Sequence, residues 1–183
     1  MIVLGIDPGS RRCGYGVVAR QGTRLELVEA GVLAPGDLPV AVRLAAILDG
    51  LGEVIARAGP AEVSVEQVFS GASARSALVL GQARGVALAA AARAGLPVFE
   101  YAPSEVKLAF TGSGRASKDQ MLRTARMLLG SRAALSDEAD AIALAVCHLA
   151  RRAVRLATPD GAPSRAAALA RVRPARRDHR RAP

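Results

Sequence analysis

The chain has 183 residues, 51% hydrophobic but only 3% aromatic and without Trp, which is enough for one domain whose core is Ala, Val and Leu. No stretch reaches the roughly 18 apolar residues that span a bilayer; the longest plausible run, Gly85 to Ala92, lies between Arg84 and Arg93. The formal charge of +9 is uneven: residues 151–183 carry ten Arg against two Asp, so the rest is close to neutral and the high pI belongs mainly to a basic tail.

The chain opens on a core-like strand without the basic segment of a signal peptide. Its two cysteines, Cys13 and Cys147, have no metal-binding or redox spacing. Both features lead us to expect a protein of the reducing cytoplasm with no membrane association.

In chain order, Ile2 to Ile6 is a continuous apolar run typical of a central strand buried on both faces, and Asp7-Pro8-Gly9-Ser10 ends it as a turn. Gly14 to Ala19 and Arg24 to Leu33 read as strands joined by Gln21-Gly22-Thr23. Val42, Ala45, Ala46 and Leu48 place a helix over Pro39 to Ala58, stopped by Gly59-Pro60. Glu62 to Val68 is a strand with Val63 and Val65 on one face and Ser64 and Glu66 on the other.

A helix over Ala74 to Ala94, a short strand over Pro97 to Tyr101 and a short helix over Ser104 to Phe110 follow, then a Gly-rich loop from Thr111 to Ala116. Ser117 and Gln120 form a capping box for a helix ending at Gly130, and Ser136 caps a last helix through about Leu156. The order predicts an α/β fold, one mixed five-stranded sheet with helices on both faces, over residues 1–156. Residues 157–183, rich in Pro, Gly, Ala and Arg, read as a disordered tail.

Four acids stand out because they fall within or beside apolar segments, where an ionised carboxylate needs a partner. They are Asp7, Glu66, Asp137 and Asp140. Asp137 and Asp140, at i and i+3, share a helix face, whereas Glu138 points elsewhere. Three of the four also have an ordinary explanation, Asp7 as a turn residue, Glu66 as an edge-strand residue, and Asp137, with Glu138, as a favourable charge at a helix start; Asp140, on a stripe with Leu144 and Cys147, is explained less well that way. Together they fit a shared divalent cation, and the absence of nearby His or Cys favours Mg²⁺ or Mn²⁺ over zinc. A basic chain with such an acidic pocket reads as a nuclease.

Ile6-Asp7-Pro8-Gly9-Ser10 with Gly14-Tyr15-Gly16, Glu66-Gln67-Val68-Phe69, Leu80-Gly81-Gln82-Ala83-Arg84-Gly85 and Asp137-x-x-Asp140-Ala141 together resemble the RuvC family of bacterial Holliday junction endonucleases. The resemblance runs from residue 1 to about 155 and leaves out the Arg-rich tail. It implies a ribonuclease-H-like fold and a homodimer that nicks four-way DNA junctions symmetrically in recombination and repair. It further implies cooperation with the RuvA and RuvB branch-migration proteins, and Asp7, Glu66, Asp137 and Asp140 as catalytic metal ligands holding two Mg²⁺ ions, with Mn²⁺ as a substitute. Some relatives carry His at the first helix acid; this chain carries Asp137.

Only two lysines, Lys107 and Lys118, stand among 23 arginines, and both match family positions implicated in junction binding or catalysis. Lys118 also opens a capped helix beside a Gly-rich loop, a suitable place for phosphate. Phe69, in a loop with Ser70-Gly71, matches a family residue that stacks on an unpaired base, although core packing is the commoner role of such an aromatic. Arg75 and Arg84 are candidate DNA-backbone contacts, and Cys147 and His148 read as packing residues. Ala83, Gly85 and Ala87 are small enough to let a second copy approach their helix. An actin-like ATPase would open on a similar Asp-x-Gly turn, but it needs two such domains and a second phosphate motif. A purely architectural DNA-binding protein would leave the four acids unexplained.

Overall fold

The structure, a computed structural model, describes residues 1–67, 74–130 and 135–156. The expected loop position of Phe69 and the expected disorder of residues 157–183 lie outside that set. Three strands come first: β1 (Ile2–Asp7), β2 (Cys13–Gln21) and β3 (Arg24–Leu33). They are followed by α1 (Val40–Ala58), β4 (Glu62–Glu66), α2 (Ala74–Arg93) and β5 (Val98–Tyr101). The described chain closes with α3 (Pro103–Thr111), α4 (Lys118–Leu129) and α5 (Ser136–Leu156).

The sheet has the order β3-β2-β1-β4-β5. The first three strands form an antiparallel meander, and β4 and β5 run parallel to β1. Alternation along β1 sends Leu4 and Ile6 to one face and Val3 to the other, and each face has its own core. Leu4, Ile6, Val63 and Val65 pack with Ile47, Leu51 and Val54 of α1 and Ala87, Ala90 and Ala91 of α2. On the opposite face α5 is a buried middle layer between the sheet and α3 and α4.

Ala139 and every residue from Ala141 to Leu149 are buried, so α5 is apolar nearly all round. Burying one such side chain, Ile142 for example, stabilises the fold by roughly 1.5–3 kcal/mol. The helix can sit this low because the strands beneath it carry glycine. A Cβ on Gly5 would collide with the Ala141 carbonyl oxygen, and one on Gly14 with the Asp137 carbonyl oxygen.

Local signals account for the helix ends. Ser117 Oγ accepts from the Gln120 backbone N–H while Gln120 Oε1 accepts from the Ser117 N–H, completing the expected capping box. Gly59, Gly112 and Gly130 end α1, α3 and α4 in left-handed conformations. Several boundaries shift by a residue or two from expectation, and two of the differences lie near the acids. Strand β4 ends at Glu66, because β5 ends at its partner Tyr101 and supplies no further ladder. Ser136 is the first residue of α5 rather than its cap.

Candidate active site

The strand alternation that builds the two cores also places the acids. With Leu4 and Ile6 committed to the α1–α2 face, Asp7 turns to the α5 face, and with Val63 and Val65 committed likewise, Glu66 does the same. Strands β1 and β4 are parallel neighbours, so both acids lie at the same end of the sheet. Asp7 pairs in register with Gly14, the residue over which the Asp137 backbone rests. The first turns of α5 thereby bring Asp137 and Asp140 to that edge. Three segments far apart in sequence meet there.

The electrostatics record the crowding. Asp7 is raised to about 7, chiefly by burial and then by Glu66, Asp140 and Asp137. Burial, then Asp140, raises Glu66, and burial also raises Asp140 with a smaller contribution from Asp137. Both lysines act in the opposite sense: Lys118 lowers Asp7 and Asp140, and Lys107 lowers Glu66 and Asp140. The structure therefore brings all four acids and both expected lysines into one electrostatic cluster. Cys13 lies beside it, its thiol pushed up to about 12 chiefly by burial, with Asp7 and Asp137 adding to the rise.

One member is held differently. Asp137 Oδ2 is 2.8 Å from Arg12 Nε, and Asp137 Oδ1 accepts from Ser136 Oγ at 3.4 Å. Sequence reasoning passed over Arg12, although it follows the Asp7 turn and is carried back by the β1–β2 hairpin toward the strand end. Among the described residues, no three His, Cys, Asp or Glu side chains stand close enough together to hold one ion as they are. The acids meet at one sheet end and couple electrostatically, and Asp137 is in addition paired with Arg12. In donor chemistry the set suits a hard divalent cation, being all carboxylate oxygen, substantially desolvated and mutually repulsive.

Other expected residues fall elsewhere. Arg84 pairs with Glu100 at 2.5 Å, and Glu100 alternates away from Phe99 and Tyr101, which face α5; the pair therefore lies on the other side of the sheet from the acids. Arg75 lies in the first turn of α2, with its side chain outside the described set, as is Phe69. Cys147 is buried as expected. His148, however, is more than packing: its ring joins Tyr101 Oη at 2.7 Å and Glu62 Oε2 at 2.5 Å, and Arg152 Nε reaches the same carboxylate at 3.2 Å. Of the small residues proposed for contact with a second copy, Ala83 and Ala87 are buried within the chain, and only Gly85 is exposed. Adjacent small residues on a helix cannot all face outward, and the sheet takes two of these three.

A mixed sheet in the order 3-2-1-4-5 with helices on both faces is the ribonuclease-H-like fold. The profile of the family described as crossover junction endodeoxyribonuclease RuvC matches residues 3–148. A crossover junction endodeoxyribonuclease RuvC of Anaeromyxobacter dehalogenans (strain 2CP-C) is 77% identical over 187 aligned positions covering 100% of both chains. One from Trichlorobacter lovleyi is 48% identical, covering 91% of this chain and 96% of its own. The structure of T. thermophilus RuvC in complex with a Holliday junction substrate superposes with a TM-score of 0.77 at 36% identity, covering 86% of this chain and 97% of that one. The chain belongs to the RuvC family of crossover junction endodeoxyribonucleases.

Proposed function

We propose that this nuclease resolves four-way DNA junctions by hydrolysing phosphodiester bonds at the cluster of Asp7, Glu66, Asp137 and Asp140, with Mg²⁺ as its metal and Mn²⁺ as a substitute. The observation that carries the assignment is the convergence, at one sheet end, of four carboxylates from three segments, with Lys107 and Lys118 beside them. When bound, a pair of such ions supplies activation of a water and neutralisation of charge on the phosphate and the leaving 3′-oxygen. Asp7, at the end of β1 facing α5, is the acid on which the other three act, and it would be the member of the set most in need of a cation.

Lys118 is exposed at the first turn of α4, where its charge and the free backbone N–H groups can meet a phosphate. Lys107, half-buried on α3, sets the field at Glu66 and Asp140. Phe69 follows Glu66 by three residues and is assigned base stacking near the crossover, worth ~1–3 kcal/mol. Arg75 is assigned a backbone phosphate. Arg84, engaged with Glu100, has the weakest case among the expected DNA contacts.

Two nicks across a four-way junction need two sites related by a two-fold axis, and one chain supplies one site, so the acting species is a homodimer. The α2 face left exposed by the chain's own packing carries Leu78, Gly81, Gln82, Gly85 and Ala89, and we place part of the dimer contact there. We assign RuvA and RuvB as partners and the cytoplasm as the compartment; no described helix is long and apolar enough to cross a membrane. The test is Mg²⁺-dependent cleavage of a synthetic four-way junction beside a linear duplex of the same sequence. Paired symmetric nicks in the junction alone support the assignment. Metal-independent cutting, equal cutting of both substrates, or binding without cutting refutes it.

A further inference from the structure

We propose that Arg12 is a built-in counter-cation for Asp137, holding this carboxylate off the other three so that a divalent ion must take Asp137 from the guanidinium before all four acids can act together. The inference rests on the metal-site reading above and adds to it a competitor within the chain.

The Arg12–Asp137 contact is direct, at 2.8 Å through Nε, with the Arg12 side chain 48% exposed and that of Asp137 26% exposed. Asp137 is singled out by it. Among the described residues Asp7, Glu66 and Asp140 make no hydrogen bond or ion pair, whereas both oxygens of Asp137 are engaged.

Close packing fixes the main chain at both residues of the pair. A Cβ on Gly9 would strike the Arg12 carbonyl oxygen, so the Asp7 turn is folded tightly against residue 12. A Cβ on Gly14 would strike the Asp137 carbonyl oxygen, so the start of α5 is pressed on the strand just beyond. The main chain that carries each side chain is thus held by close backbone approach, which sets the two residues within reach of each other.

The chemistry is a competition between two cations for one carboxylate. A guanidinium cannot deprotonate and binds carboxylate well through its N–H groups. With Arg12 in place, Asp137 is neutralised without drawing the buried acids together. Divalent ions held among the acids would gain from the rest of the set and so overcome that hold, at an affinity reduced by the cost of breaking the pair. A half-exposed ion pair has a modest worth, corresponding to roughly a two- to five-fold change in affinity.

The experiment measures Mn²⁺ binding to the full chain without DNA, by the electron paramagnetic resonance signal of free Mn²⁺, for the wild type, Arg12→Gln, Asp137→Asn and the double variant. Arg12 is exposed on a hairpin, so its replacement leaves the core intact. The expected result is Mn²⁺ binding roughly two- to five-fold tighter in Arg12→Gln, a gain that disappears in the Asp137→Asn background. Arg12→Lys, which restores the cation, should return affinity toward the wild type. If Asp137→Asn weakens Mn²⁺ binding while Arg12→Gln leaves it unchanged or weaker, the counter-cation role is wrong and the metal site stands. If Asp137→Asn leaves Mn²⁺ binding unchanged, the metal role of Asp137 fails, and the proposal with it.

Discussion

Asp7 gives the sharpest test, because the catalytic role proposed for it and its energetics pull in opposite directions. Its folded-state value of about 7 stands above the ordinary 3.8, mainly through burial and then through Glu66, Asp140 and Asp137. A raised folded value means that stability from this group is complete below about 3.8 and is lost as pH rises toward 7, since the unfolded chain releases the proton first. Three units at 1.36 kcal/mol each correspond to about 4 kcal/mol of destabilisation at pH 8. Asp7→Asn removes that repulsion but leaves a buried amide whose polar atoms take back about 1 kcal/mol. The net expectation is a gain of about 2–3 kcal/mol, or roughly 5–10 °C in Tm. Thermal melts in chelator from pH 4 to 8 should show the variant pulling ahead as pH rises, while junction cleavage is abolished and junction binding remains. A variant no more stable than the wild type at pH 8, or a lead that does not shrink toward pH 4, would refute the reasoning.

The other acids should follow the same division. Glu66→Gln and Asp140→Asn should each abolish cleavage in a junction-nicking assay, and the double variant should lose little more, because groups acting as a unit are non-additive; Glu138→Gln should stay close to wild type. Gly5→Ala should destabilise by about 3 kcal/mol or more in urea titration, since its methyl meets rigid α5 backbone; a loss below 1 kcal/mol would show that the helix can lift. His148→Ala should cost about 2–4 kcal/mol, because it removes the hydrogen bonds that the buried ring makes to Tyr101 and Glu62 and leaves a gap between α5 and the sheet. Removing residues 157–183, which carry seven of the Arg, should weaken duplex and junction binding alike, with each lost phosphate contact reducing the salt slope by about 0.9; loss of junction preference alone would contradict a sequence-blind electrostatic role.

What the sequence made legible was whatever a single element encodes locally. The capping box at Ser117, the stop at Gly59-Pro60 and the alternation in Glu62 to Glu66 each follow from residues a few positions apart, and each is present in the structure. The acids were legible because burying charge is costly wherever the chain eventually goes. Their meeting follows from strand parity: once Ile6 and Val65 belong to the α1–α2 core, Asp7 and Glu66 have no other face to occupy.

The pairings that stayed hidden depend on contacts between distant segments. Nothing near Glu62 announces His148, and nothing near Arg84 announces Glu100, because each pair is made only when strands from one part of the chain meet helices from another. Gly5 and Gly14 look like unremarkable strand interruptions until α5 is laid across them, whereupon they become the reason its acids reach the sheet. Arg12 belongs with these cases. In sequence it is one arginine among many after a turn; in the fold the descent of α5 onto Gly14 sets Asp137 against it. The close approach that delivers two acids to the site therefore also gives one of them a competing cation. The placement of Asp137 and Asp140 and the pairing of Asp137 with Arg12 come from the same packing contact.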